Sequence, residues 1–486
     1  MSTTGILRSK TKIGESGKSG IQKKTGQTSA AISNERPTPA ELSPIAAEVA
    51  GEHHPPDLRC PDTVVRARAG DHHAIHRLLV SLLHQPSAAE FQAQLEDPGY
   101  DPGNRLVVKR NDHVVAHAHL VNRQIYFGQQ TLPIVVINDF VVLPELKSEG
   151  IESLLLGAIQ EHIIAVGAQY GVLRTSKPDF FLKRGWSVCL RHSYSTASAL
   201  AILSHLRESM PPPPRNLLGV EQAKLTVRIW RHVEQAALVR LYQKHSEGTF
   251  GPSLRADDYW QWLISRRGYD RIYVAIDGPD RMDLDDSQSP IVGYAVMREG
   301  RILELVTEDN APAAATALLA RTCQDAIEQD RHYVQLDAAP GDSLHSVFKA
   351  AGGERYYHEA ESGQVSMVWL AERISLLRSL CKEMTGRSKQ GGLHAGSELG
   401  LQLDGDKYGL SVGSHSTKLT EGRIGRSYLE CDPPTFAQLL LGHMDVQAAV
   451  ANGRLLASTR VAIETASALF PQLPIWRPPW DESPAA

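Results

Sequence analysis

The stretch TLPIVVINDFVVLPELKSEGIESLLLGAIQEH, residues 131–162, constrains the fold more than any other. A β-branched run ends at Leu143-Pro144 and a polar loop follows. Gly150 then precedes a helix carrying Leu154, Leu155, Ala158, Ile159 and His162 at helical spacing. Strand, glycine loop and helix in this order aim free backbone N–H groups and the positive end of a helix dipole at one spot, which suits a pyrophosphate. Taken alone, the pattern leaves two readings open: a phosphate cradle, or a loop glycine that only starts a helix.

Length and punctuation set the organisation. A chain of 486 residues exceeds one ordinary core, and about three domains are expected. The first 58 residues are rich in Ser, Thr, Gly, Lys and Pro without apolar periodicity, which reads as a flexible tail. The cluster MPPPPRN marks a stiff linker over 209–221, so a first unit spans 59–208 and a second 222–372, with a third over 373–486. In the first unit TVVR reads as a strand. The helix after it starts near His72, His73 and His76 and carries Ile75, Leu78, Leu79, Leu82 and Leu83 on one side. Two strand-like runs flank Asn111-Asp112, a hairpin signal that puts His117 and His119 on one strand face. No further ligand stands at motif spacing from these histidines, and no metal is assigned.

A net charge of −4 gives no global pull toward nucleic acid or an anionic membrane. Five scattered cysteines without a CxxC pair suggest neither a disulfide framework nor a zinc site, which fits a reducing cytoplasm. No apolar run reaches the roughly 20 residues that span a bilayer, and the N-terminus lacks the apolar core of a secretory signal. A soluble, cytoplasmic protein is the expectation.

A second motif decides between the two readings of Gly150. SKPDFFLKRGWSVCLRH, residues 176–192, holds an aromatic pair followed by LKRGW. With the glycine loop before it, this segment resembles the closing motif of the GNAT superfamily of N-acetyltransferases. The resemblance implies that Phe140, Val141 and Val142 form a splayed strand whose backbone pairs with the pantetheine arm of acetyl-CoA. It implies a pyrophosphate cradle at Lys147, Ser148, Glu149, Gly150, Ile151, Glu152 and Ser153, with Ser176 and Lys177 beside the thioester. The backbone N–H of Val142 would polarise the thioester carbonyl. The chain departs from the family pattern where Lys147 replaces Gln or Arg and where Glu149 and Glu152 bring negative charge to the loop. It departs again at Phe181, which lacks the hydroxyl of the tyrosine that protonates the leaving thiolate in many relatives.

The second unit repeats the outline without the cradle. LTVRIWRHVEQAALVRLYQKH mirrors the first strand and helix, RIYVAIDG and SPIVGYAVMREGRILELVTED mirror the paired strands, and a helix preceded by proline follows with no glycine loop. This resembles a degenerate GNAT copy. Trp260 and Trp262 fit either ring stacking on a substrate or core packing, and the acidic run 277–288 reads as a solvated hairpin loop. The closing segment, from YLECDPPTF through ALFP to IWRPPWDE, resembles the sterol-carrier-protein-like C-terminal domain of Eis-type (enhanced intracellular survival) acetyltransferases. There Leu439, Leu440, Leu441 and Phe470 could line an apolar tunnel or form the domain's own core.

The resemblance implies an α+β chain: tandem GNAT folds, with mixed, mostly antiparallel sheets flanked by helices, followed by a sterol-carrier-protein-like α+β domain. It also implies a homo-oligomer. In Eis-type enzymes the C-terminal carboxylate serves as a base, which places that role at Ala486 or, as substitutes, at Asp481 or Glu482, with Trp480 and Phe181 in the substrate pocket. Two functions remain open. One is an acetyl-CoA-dependent N-acetyltransferase acting on a small amine, an aminoglycoside-like compound or a protein lysine. The other is a non-catalytic binding or scaffold protein of the same fold.

Overall fold

The hairpin signal at Asn111-Asp112 is realised in the computed structural model: both residues take positive φ, 50° and 61°, the conformation a two-residue turn between twisted strands requires. The structure describes residues 62–83, 85–190, 193–209, 225–278, 290–357 and 363–482, all within one unit, Leu58–Ala486. The tail to Leu58, the linker from 210, the acidic run from 279 and Ala486 lie outside the described residues.

Strands β1 (Thr63–Arg66), β2 (Arg105–Arg110), β3 (His113–Phe127), β4 (Gln130–Val142) and β5 (Tyr170–Thr175) lie side by side in that order, antiparallel except for β4 and β5, which run parallel. Helices α1 (His72–Leu82) and α2 (Ala88–Leu95) follow β1, α3 (Ile151–Ala165) connects β4 to β5, and α4 (Pro178–Leu182) follows β5. Ser87 caps α2 by accepting from the Glu90 N–H while the Glu90 carboxylate accepts from the Ser87 N–H.

The sheets trade strands across the linker. The strand Val365–Leu370 inserts beside β5 in the first sheet and carries Ser187–Val188 on its other edge. In return Tyr194–Ser198 joins the second sheet, between Glu354–Tyr356 and Tyr333–Asp337. That sheet continues through Arg301–Thr307, Ile291–Arg298, Arg271–Asp277 and Leu225–Ile229, the strands read from the sequence as a second copy. The units expected over 59–208 and 222–372 are therefore interleaved.

A third sheet of five strands, Thr417–Glu421, Asp406–Val412, Glu398–Leu403, Tyr428–Cys431 and Leu456–Ala457, packs with the helix Arg373–Gln390 and three shorter helices. Its core is continuous with the first sheet's: Leu376, Leu380 and Met384 pack in one cluster with Ile125, Phe127 and Tyr170. Leu439, Leu440, Leu441 and Phe470 belong to that packed core, each at most 1% exposed. Trp260 is likewise core. Among the described residues no helix is long and apolar enough to cross a membrane.

Candidate functional site

The parallel pairing of β4 and β5 stops abruptly. Ile134 to Ile137 pair with Tyr170 to Leu173, and beyond Ile137 the two strands diverge. The cause lies on the other side of β4. There a bulge between Asn138 and Val141, with Asp139 at φ 53°, shifts the register against His117 and His119 of β3 and bends the strand away. Aspartate tolerates this left-handed conformation better than most residues. Backbone groups past the bulge thus lose a partner on the β5 side. The Leu143 N–H donates to Val115 O on β3 at 3.0 Å. Successive N–H groups along a strand face opposite ways, so the Val142 N–H points into the gap.

At the end of β4, Gly150 takes φ 84° and starts α3. A Cβ there would meet nothing within 4 Å, so the glycine answers a backbone need rather than a steric one. No side chain caps α3, and with the Ser153 N–H already donating to Gly150 O at 3.0 Å, the Ile151 and Glu152 N–H groups are the first-turn donors that face outward. Glu149 turns away from this corner, its carboxylate accepting from Arg110 of β2 at 2.8 Å, and Arg110 also holds Asp62. Ser153 accepts from Arg184 at 2.6 Å, and Ile151 is buried in the core beneath the helix.

The divergence opens into a cleft of about 1070 Å³. Phe140, Val141, Val142, Lys147, Glu152, Ser176, Lys177 and Phe181, all singled out in the sequence, line it. Here the cleft is lined by Lys147, Arg174, Lys177 and Arg477 against the carboxylates of Asp139, Glu152 and Glu482, a balance that still favours an anion. Phe181 packs edge-on against Phe140, Phe180 and Trp186 at 5.6, 5.0 and 5.9 Å.

Residues of the segment 475–482 line the same cleft. Arg255, with no side-chain exposure, binds Glu304 through two hydrogen bonds of 3.0 and 2.7 Å and Asp481 Oδ1 through one of 2.9 Å. Burial favours a neutral Arg255, but the charges of Asp481 and Glu304 outweigh it and hold the guanidinium charged. The Tyr259 hydroxyl also donates to Asp481 Oδ1, at 3.3 Å, and burial followed by the Asp481 charge raises its pKa. Asp481 Oδ2 has no hydrogen-bond partner among the described residues, on a side chain only 4% exposed that lines the cleft. Glu482 has both oxygens engaged, with Arg174 at 2.6 Å and Arg477 at 3.1 Å. Trp480 does not line the pocket as expected. It is fully buried behind the wall, edge-on to Trp260 and Tyr269, because a large apolar ring gains most by packing into the second sheet's core while Asp481 and Glu482 after it stay at the cleft.

Sequence reading missed Tyr259, Arg255 and Glu304. Tyr259 stood beside the flagged tryptophans without a signal of its own, and the Arg255–Asp481 contact joins residues 226 positions apart. His117 and His119 are buried and kept neutral by burial first and the nearby Arg105 charge second. Among the described residues no three His, Cys, Asp or Glu side chains gather to hold a metal.

Residues 63–189 match the acetyltransferase (GNAT) domain family, so an acyltransferase domain covers β1 through the strand after α4. No curated protein sequence matches the chain. Solved structures share the fold over most of the length. A GCN5-related N-acetyltransferase from Anabaena variabilis superposes with TM-score 0.63 at 17% identity, covering 86% of this chain and 99% of that one. A probable N-acyltransferase from Enterococcus faecalis gives 0.63 at 14% identity, covering 85% and 97%. Eis1 from Mycobacterium abscessus gives 0.58 at 14% identity, covering 85% and 98%.

Proposed function

We propose that the protein transfers an acetyl group from acetyl-CoA directly to a primary amine. The observation that carries this reading is one cleft holding three things at once: the β4–β5 divergence, the open N-terminus of α3, and a buried carboxylate with a free oxygen. The donor's pantetheine arm fits the backbone of 138–142 on its β5 side, where strand pairing has stopped, and its pyrophosphate fits the α3 amides flanked by Lys147 and Lys177. Turning Glu149 onto Arg110 supports that fit by removing one of the two carboxylates the sequence placed at the cradle.

In the reaction Asp481 Oδ2 takes one proton from the acceptor ammonium, and the free amine attacks the thioester carbonyl, whose oxygen the Val142 N–H stabilises. The C–N bond forms as the C–S bond breaks. The surplus proton on nitrogen neutralises the departing thiolate directly or through water, so that Phe181 is not asked for a hydroxyl. Asp481 suits the base role better than Glu482, whose oxygens are both engaged by arginines. The C-terminal sheet and helices, which the sequence likens to a sterol-carrier domain, serve in this reading to carry the terminal segment to the cleft.

Calorimetric titration with acetyl-CoA, paired with a free-thiol assay of amine acetylation, tests the proposal. Binding that is lost in Gly150→Asp, and thiol release that is lost in Asp481→Asn while binding persists, are the expected results. No heat on titration of the wild-type protein would overturn it.

A further inference from the structure

Glu304 does not line the cleft, yet it acts on a carboxylate that does. Only 1% exposed, it lies on the strand Arg301–Thr307, which is antiparallel to the strand before it and parallel to the one after it, as β4 is in the first sheet. It accepts from both terminal nitrogens of Arg255, and the Tyr294 hydroxyl donates to its Oε1 at 2.6 Å. Burial first and the Glu304 charge second push the Tyr294 hydroxyl far above its usual range, which keeps it a donor. Tyr242, Trp260 and Trp480 pack on the Arg255 guanidinium, with ring centroids 3.9, 4.9 and 5.2 Å from its central carbon.

A guanidinium carries five N–H donors and can grip a carboxylate with two of them. Because Glu304 takes Nη1 and Nη2, Asp481 receives only Nε, on Oδ1, and its Oδ2 has no partner among the described residues. Charge points the same way. Arg123, Arg255 and Arg266 are the cations that act on Asp481. Asp97 pairs with Arg123 and Glu304 with Arg255, while Arg266 donates to the Trp480 carbonyl. Tyr242 and Tyr259 are kept protonated by burial and add no charge, and Glu482 is tied to Arg174 and Arg477. With Asp481 included, three guanidiniums thus meet three carboxylates. Loss of the Glu304 charge would leave an excess of positive charge, which repels an ammonium and opposes proton uptake by Asp481. Apolar side chains would fill this core at least as well as a buried ion pair, so stability alone does not account for the charges. We infer that Glu304 is a positioning residue for the transfer reaction: it holds Arg255 to a single bond with Asp481, so that this carboxylate keeps an oxygen and its negative field for the acceptor ammonium. The second unit, which has no glycine loop of its own, thereby contributes to the chemistry of the first. The inference rests on the acetyl-transfer reading with Asp481 as its base.

The test follows thiol release from acetyl-CoA with n-butylamine as acceptor, across about pH 5–9, in the full chain as wild type, Glu304→Gln and Glu304→Asp. Glu304→Gln should lower kcat by about tenfold or more and move the acidic limb of its pH profile to lower pH, with KM for acetyl-CoA unchanged. Glu304→Asp keeps the charge and shortens its reach, so it should fall between that variant and the wild type in both rate and limb. In an Asp481→Asn background, Glu304→Gln should cost nothing further in kcat, because the two residues act through one contact. A merely structural role would lower the melting temperature and kcat without moving the limb. An unmoved limb in a folded Glu304→Gln protein, or a loss that adds to that of Asp481→Asn, overturns the inference. If Glu304→Gln does not fold, Glu304→Asp carries the same two readings. An Asp481→Asn protein with the wild-type rate removes the base from the transfer reading and takes this inference with it. If the wild type releases no thiol at all, the transfer reading falls and a crystal structure of Glu304→Gln decides the geometry: Arg255 drawn onto both Asp481 oxygens upholds the inference, and an unmoved guanidinium overturns it.

Discussion

Replacing Trp480 with alanine should damage stability and catalysis together. Its ring is fully buried, 5.6 Å from Trp260 and 6.0 Å from Tyr269 between centroids, with the Arg255 guanidinium 5.2 Å above it. A tryptophan in such a site removes roughly 200 Å² from water, worth about 5 kcal/mol at about 25 cal/mol per Å². A compact unfolded state trims that figure, and an unfilled cavity adds to the loss, so a cost of about 3–5 kcal/mol is expected. The residue also sits next to Asp481 and offers its carbonyl to Arg266, so the carboxylate loses its fixed position when the anchor goes. Guanidinium unfolding measures the first effect. Steady-state thiol release measures the second, with kcat falling by about 10² or more because the base is misplaced. KM for acetyl-CoA should change less than kcat, since the donor end of the cleft is built mainly from β4, β5 and α3, with Arg477 and Glu482 its contribution from the terminal segment. A stability loss below about 1 kcal/mol, far under the range for a buried tryptophan, together with an unchanged kcat, would refute the view that this residue pins the segment to the cleft.

Other expectations follow from the same contacts. Gly251 has φ 109° and a Cβ there would lie 2.4 Å from Trp476 O, with Trp476 N–H donating to Phe250 O at 2.9 Å, so no side chain can yield. Gly251→Ala should cost about 2 kcal/mol or more in chemical unfolding and lower kcat by loosening the terminal segment. Arg110→Gln releases Glu149 toward the cradle and should weaken acetyl-CoA binding several-fold, an effect that calorimetry at high salt should shrink. Burial lowers the pKa values of His117 and His119 below the unfolded value. Because the unfolded chain then binds more protons, the neutral-state stability is present above about pH 6.5 and drains away as pH falls below it. The slope of unfolding free energy between pH 6.5 and 5 should flatten, by up to about 1.4 kcal/mol per pH unit for each histidine removed, in a His117→Gln, His119→Gln protein.

Much of the cleft's lining beside β4 and α3 was legible because it is local. A bent strand, a positive-φ glycine and a helix start fall within thirty residues of one another, and Phe140, Val141, Val142, Lys147, Ser176, Lys177 and Phe181 reach the cleft by following the chain. Gly150 itself sets the turn without lining the cleft. Glu149 shows the limit of that reading. Its sequence position says only that a charge stands in the loop; the partner that turns it away, Arg110, comes from a strand 39 residues earlier.

Sequence by itself determined the elements: the Asn111-Asp112 hairpin, the β4–Gly150–α3 order, and the repeated strand and helix outline, all set by short-range sterics and by apolar period. Tertiary structure alone decided which strands share a sheet, because pairing is chosen by buried faces over the whole chain. Val365–Leu370 therefore lies beside β5, and Tyr194–Ser198 crosses to the second sheet. It also decided which carboxylate matters. Asp481 and Glu482 are neighbours with the same charge, and only the long-range arrangement of Arg255, Tyr259, Arg174 and Arg477 leaves one of them with an oxygen to use.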